Sequence, residues 1–143
     1  FAYVFKGYWK DVGTISSLHE ANMDLLLSAR EQNIYSIKGG NTIFSEDTHS
    51  HPQYIGRKAR VKDSLINQGA VILGDVERCV ISNEVVVAEG AIVRNSVLMP
   101  GARVRAGAKV YSAIIGPEAV VAHGDVVNEK QEDIVLITSR RKK

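Results

Sequence analysis

Between Ile55 and Val126 the apolar residues of this sequence recur on a period of about six, and few folds can accommodate that. Aliphatic residues stand at Ile55, Val61, Ile66, Ile72 and Val76. From Ile81 onward they follow steps of six, six and five, giving Val87, Val93, Leu98, Val104, Val110, Ile115 and Val121. A fixed short period implies a solenoid, in which each unit buries its apolar face only by stacking on the next. Two residues before most of these aliphatics stands a small one: Ser64, Ala70, Cys79, Ala91, Ser96, Ala102, Ala108, Ala113 or Ala119. On a strand, positions i−2 and i point the same way, so small and large side chains share one narrow interior. Glycines follow three residues after the aliphatic at Gly69, Gly90, Gly101, Gly107 and Gly124, where a corner of positive φ would need them. The pattern predicts a mainly β prism of short parallel strands with about four coils. One coil, 66–81, is irregular and reads as a tighter turn or a local break.

The repeat occupies only the second half of a 143-residue chain. The chain opens at Phe1 within what reads as structured sequence, as a piece cut from a longer protein would. A hydrophobic share of 45% against 24% charged residues is that of an ordinary globular protein. No apolar run approaches the roughly 20 residues of a membrane span, and no signal peptide is visible. The net charge of +2 is too small to argue for nucleic acid. The single cysteine, Cys79, falls at an interior position, which excludes a disulfide framework and suits a reducing, cytoplasmic setting.

Residues 1–5 alternate and are expected to form a strand. Gly7-Tyr8-Trp9-Lys10-Asp11-Val12-Gly13-Thr14 reads as a tight loop in which Asp11 is a turn or cap residue and Trp9 a packing residue. Helical spacing runs over 15–27, with Leu18, Ala21, Asn22, Leu25 and Leu26 on one face. Ser17 and Glu20 make a capping-box pair, and His19 is expected on the solvated side. The apolar end, Leu25-Leu26-Leu27, suggests a helix packed between two bodies. Residues 28–54 form a polar connector with short strands expected over 34–37 and 42–44. His49 and His51 lack the further ligands a metal would need. A closing strand is expected over 134–137, and 139–143 as a frayed basic tail.

The loop string, followed by Glu20-Ala21-Asn22-Met23-Asp24-Leu25-Leu26, Pro52-Gln53-Tyr54-Ile55, Asp63-Ser64-Leu65-Ile66-Asn67-Gln68-Gly69 and Asn95-Ser96-Val97-Leu98-Met99-Pro100-Gly101-Ala102, is distinctive. It resembles ADP-glucose pyrophosphorylase (glucose-1-phosphate adenylyltransferase) of the bacterial glycogen-synthesis type, over nearly the whole chain except 28–50. The repeat itself is similar to the hexapeptide repeat of left-handed parallel β-helices. The left hand is implied by that likeness, since parallel crossovers are ordinarily right-handed. The resemblance implies that 1–14 end an α/β nucleotidyltransferase domain, 15–50 form a helix and connector, 51–128 the β-helix, and 129–143 the closing strand and tail. It implies ATP and glucose 1-phosphate as substrates, with Asp11 and an upstream aspartate holding Mg²⁺ and with Trp9 and Tyr8 on the sugar side. It further implies a homo- or hetero-oligomer, tetrameric in the family, and an anionic effector for which Arg57, Lys58, Arg60 and Lys62 are candidates. Most of the active site would lie outside this chain, which alone would be inactive. Two other readings compete: a non-catalytic regulatory subunit of the same enzyme, and a hexapeptide acyltransferase using His123.

Overall fold

Small and large inward positions alternate, so the chain can wind around a core too narrow for two large side chains to meet. The computed structural model describes residues 1–4, 8–27 and 47–139. The first coil supplies β1 (Tyr54–Ile55), β2 (Arg60–Lys62) and β3 (Leu65–Ile66). The second supplies β4 (Val71–Ile72), β5 (Asp75–Glu77) and β6 (Val80–Ile81), and the third β7 (Val86–Val87), β8 (Ile92–Arg94) and β9 (Val97–Leu98). The fourth contains β10 (Arg103–Val104), β11 (Lys109–Tyr111) and β12 (Ala113–Ile115). A last layer of β13 (Val120–Val121), β14 (Val126–Val127) and β15 (Val135–Ile137) completes the stack. Every third strand pairs, so three five-stranded parallel sheets form the first, second and third faces of a prism. Four coils and a fifth layer that ends in the closing strand agree with the expectation of about four coils. That strand, β15, lies beside β12 on the third face, with Ile114 opposite Leu136.

Ile72, Val76, Ile81, Val87, Val93, Leu98, Val104, Val110 and Ile115 are at most 1% exposed, as are the small residues Ala70, Cys79, Ala91, Ala102, Ala108, Ala113 and Ala119. Burying each large aliphatic contributes about 1.5–3 kcal/mol. Ile55 and Val61 remain 42% and 39% exposed, because no coil stacks beyond the first among the described residues.

The irregular coil is a tighter turn. Val61 pairs with Val76 and Ile72 with Val87, whereas Val76 pairs with Val93, so two residues are missing between β4 and β5. Leu73 and Gly74 alone make that corner, and the ladder continues through it: Leu73 N donates to Val87 O (2.8 Å) and Asp75 N to Ala91 O (2.8 Å). A Cβ on Gly74 would collide with the carbonyl oxygens of Ala91 and Ala88. The five glycines expected at corners do have positive φ, 70–75°. The corner between the second and third faces uses Asp63, Arg78, Asn95 and Ser112 instead, at φ 42–53°. A hydroxyl or thiol follows the first three of these residues and satisfies the bent backbone. Ser64 Oγ donates to Lys62 O (2.8 Å), Cys79 Sγ to Glu77 O (3.2 Å) and Ser96 Oγ to Arg94 O (2.7 Å). Burial pushes the Cys79 thiol up to about 12, so it acts as a core residue.

Helix α1 (Ile15–Met23), extended by a 3₁₀ turn over Asp24–Leu26, lies on the outside of the third face. There Met23 packs on Val97 and Ile114, flanked by Leu18, Leu26, Val80, Met99 and Ile134. Several expectations are corrected. Residues 1–4 form no strand; Phe1, Tyr3 and Val4 are exposed and pair with no other strand among the described residues. The capping box is Thr14 with Ser17, because Thr14 alone has the extended backbone (φ −125°, ψ 162°) of an N-cap. His19 is buried, only 4% exposed, because its Nε2 donates to the carbonyl of Asn95 (2.8 Å) on the αL corner. The buried stripe is thereby turned toward His19 and Met23. Leu18 and Leu26 pack against the β-helix, one of the two bodies expected for this helix. The strands expected over 34–37 and 42–44, and tail residues 140–143, lie outside the described residues. Among those described, no helix is long and apolar enough to cross a membrane.

Gly74→Ala is expected to lower unfolding stability by about 1–3 kcal/mol, because the methyl group meets fixed backbone oxygens. Chemical denaturation of the chain measures this, and an unchanged midpoint would contradict the tight corner.

Candidate functional site

The loop 8–14 is held by α1. At one end the capping box closes: Ser17 N donates to Thr14 Oγ1 (3.1 Å) and Thr14 N to Ser17 Oγ (2.9 Å). Toward the other end, Tyr8 Oη donates to Asp24 Oδ2 (2.8 Å), and Lys10 Nζ reaches the same oxygen at 2.9 Å. Lys10 also approaches Glu20 Oε2 at 3.3 Å. Glu20 and Asp24 are four apart and share a helix face, so one lysine spans both. The hydrogen bond from Lys10 holds the Asp24 carboxyl below its ordinary value, and that bond raises Lys10. Burial, and then the bond to Asp24, raises the Tyr8 phenol.

Between these anchors stands Asp11, exposed, its Oδ1 accepting from Gly13 N at 3.1 Å. The turn assigned to Asp11 from sequence is therefore present, and it leaves the carboxylate facing outward. Trp9 is 77% exposed, and Tyr8 has its hydroxyl committed to Asp24. These three residues share one short loop. A cleft of about 520 Å³ separates α1 from the Asn95 corner and the segment after β14, lined by Lys10, His19, Asp24, Arg78 and Asp133 among others. Among the described residues no group of three or more His, Cys, Asp and Glu could hold a metal ion.

The four basic candidates lie elsewhere, on the first coil. Arg57 and Lys58 occupy the corner after β1, and Arg60 and Lys62 lie on β2. Lys58 Nζ pairs with Glu89 Oε1 (3.2 Å), and Lys62 Nζ with Glu77 Oε1 (2.9 Å). The Lys62 bond lowers Glu77 and is returned as a raised lysine. Arg94 reaches the other Glu77 oxygen at 3.3 Å. A shallow groove of about 210 Å³ on the second face is lined by Arg60, Lys62 and Arg94 together with Asp75 and Glu77. The sequence reading omitted Arg94. Its signal was the register itself, since Lys62, Glu77 and Arg94 stack in one outward column of alternating sign.

A family model described as "GlmU-like, C-terminal hexapeptide" matches residues 48–136, the length of the β-helix. The chain belongs to that hexapeptide family. It is also 45% identical over 139 residues to a glucose-1-phosphate adenylyltransferase of Bacillus mycoides (strain KBAB4), covering 95% of this chain and 36% of the relative. Proteins of the same name from Bacillus cereus (strain Q1) and Bacillus anthracis match at 46% and 45% over 138 residues. The chain thus spans about a third of the length of these curated relatives (36%). The hexapeptide match stops short of loop 8–14 and α1, which the adenylyltransferase matches, covering 95% of the chain, take in.

Asp24 is the residue of this part that sequence reasoning used only as a family mark. Because its pKa is lowered on folding, its contribution is present above the ordinary value of 3.8 and is lost as pH falls through the lowered one. Lys10 is raised, so its contribution is present below 10.5 and lost as pH rises through the higher value. The loop of this hexapeptide-family chain is therefore anchored throughout the neutral range. Carboxyl-carbon NMR is expected to place the Asp24 midpoint below 3.8, and an ordinary or raised midpoint would contradict the Lys10 contact.

Proposed function

We propose that this chain is the C-terminal oligomerisation and regulatory part of a glucose-1-phosphate adenylyltransferase, together with the end of its catalytic domain. The supporting observation is that the loop of Tyr8, Trp9 and Asp11 is anchored on a helix docked against a hexapeptide β-helix, in a chain 45% identical to enzymes of that name. In the reaction, a phosphate oxygen of glucose 1-phosphate attacks the α-phosphorus of ATP, giving ADP-glucose for glycogen synthesis and releasing pyrophosphate.

The residues present fit one corner of a Mg²⁺ site. Asp11 is an exposed carboxylate with only Oδ1 engaged by the backbone, and Mg²⁺ is usually held by one or two carboxylates beside phosphate oxygens and water. When bound, the ion neutralises charge on the phosphates. Asp11 would provide one ligand, the exposed indole of Trp9 would close the sugar side, and the Tyr8 ring would support it. Further ligands would come from the catalytic domain, so the chain alone is expected to be inactive. Arg60, with Lys62 and Arg94 beside it, is a candidate contact for an anionic effector. Arg57 and Lys58 are corner cations of the same coil, Lys58 being already paired with Glu89. The β-helix would build the homo- or hetero-oligomer.

In the full-length protein carrying this chain, Asp11→Asn is expected to slow pyrophosphate release from ATP and glucose 1-phosphate on the order of a hundredfold or more, a loss of several kcal/mol. Retained activity would remove the metal role. An inactive but folded wild type that a catalytic partner restores would instead identify a regulatory subunit.

A further inference from the structure

We propose that Asp24 is a positioning residue for the Asp11 carboxylate, holding loop 8–14 as a strap along α1; this rests on the adenylyltransferase reading above. One carboxylate oxygen of Asp24 receives both Tyr8 Oη and Lys10 Nζ, at 2.8 and 2.9 Å. Both donors precede Asp11, whereas the next fixed points, Gly13 N on Asp11 Oδ1 and the Thr14 cap, follow it. The Thr14 cap holds the start of α1 and Asp24 its end, separated by about 15 Å at 1.5 Å per residue. Asp11 is consequently tethered from both sides to one rigid element, although no strand pairs with it among the described residues.

The anchor is itself well placed. Asp24 follows Met23, which is buried against Val97 and Ile114, and its backbone N–H closes the helix onto Asn22 and Glu20. His19, one turn earlier, is bonded to Asn95 of the corner column. A position set by the β-helix is thus passed through α1 and the Asp24 carboxylate to the turn that bears Asp11. Nothing else among the described side chains accepts from Tyr8 Oη, and among the described residues the other acid in ion-pair contact with Lys10 is Glu20, whose carboxylate is more exposed (65%). Removing the Asp24 oxygen frees Tyr8 and leaves Lys10 with the weaker partner. The Asp11 turn then samples orientations in which its carboxylate points away from a metal. Indirect partners of this kind typically alter metal affinity by tenfold or more.

The test uses the full-length protein and two readouts, Mn²⁺ binding by electron paramagnetic resonance and hydrogen exchange of the peptide amides over 8–14. Asp24→Ala is expected to weaken Mn²⁺ binding on the order of tenfold and to speed exchange over 8–14, leaving β-helix amides protected. Asp24→Asn, which keeps an acceptor oxygen, is expected to restore most of both. Tyr8→Phe, which removes one donor and leaves the helix end intact, should give a smaller shift in the same direction and serves if Asp24→Ala does not fold. Unchanged Mn²⁺ affinity and unchanged exchange over 8–14 in a folded variant would overturn the proposal. If Asp11→Asn still binds Mn²⁺ normally, the metal reading fails by itself, while the exchange data continue to report whether Asp24 holds the strap.

Discussion

Parallel, in-register stacking of successive coils is the constraint on which everything else in this chain depends. Each strand is only two or three residues long and could not persist alone. Its backbone groups are satisfied above and below, and its inward side chain meets its counterpart one coil away. Stacking also repeats whatever faces outward. On the third face the outward column is Val80, Val97 and Ile114, an apolar strip that needs a cover, and α1 supplies it. On the second face the outward column is Lys62, Glu77 and Arg94, which pairs its own charges and stays wet. The same repeat thus creates a docking face and a charged groove three residues apart in sequence, as Glu77 and Val80 or Arg94 and Val97 show, with only the outward residues changed.

The docked helix gives an otherwise isolated loop its geometry. Residues 8–14 contain no regular element, and the contacts that hold them run to Ser17, Glu20 and Asp24 of the helical segment. Because α1 is fixed by apolar packing and by the His19–Asn95 bond, the loop inherits the position of the β-helix. In the proposed enzyme this would give effector-bearing and metal-bearing parts a shared rigid frame. A frame of that kind is necessary for regulation at a distance but does not by itself constitute coupling.

Much of this was legible in the sequence, for identifiable reasons. A period of six with small residues at i−2 constrains both the faces and the interior, so the buried residues and the glycine corners followed directly. The Leu73–Gly74 corner was visible as a short step, and only the backbone contacts could decide between a tight turn and a break. The second corner column escaped because Asp63, Arg78, Asn95 and Ser112 adopt positive φ without glycine, supported by hydroxyls that accept backbone N–H groups from the next coil, Cys79 N on Ser64 Oγ and Ala113 N on Ser96 Oγ. Ser17 and Glu20 satisfied a capping pattern that Thr14 and Ser17 form in fact, since sequence spacing cannot tell which residue has extended backbone. His19 was assigned to solvent because its partner is a carbonyl 76 residues away. The loop's tie to Asp24 is likewise a tertiary contact, invisible to any local pattern.

Docking of α1 on the third face is the claim that unites fold and site, and a charge placed beneath it tests that claim directly. Ile114 points outward, is fully buried by the helix and takes no part in the inward core. Hydrogen exchange followed by mass spectrometry on Ile114→Asp should show amides of residues 8–26 losing protection. Amides of the inner coils, such as those of β7 and β10, should keep theirs. Unchanged protection over 8–26 in that variant would mean that the helix and its loop are held by something other than the β-helix, and the account would fail.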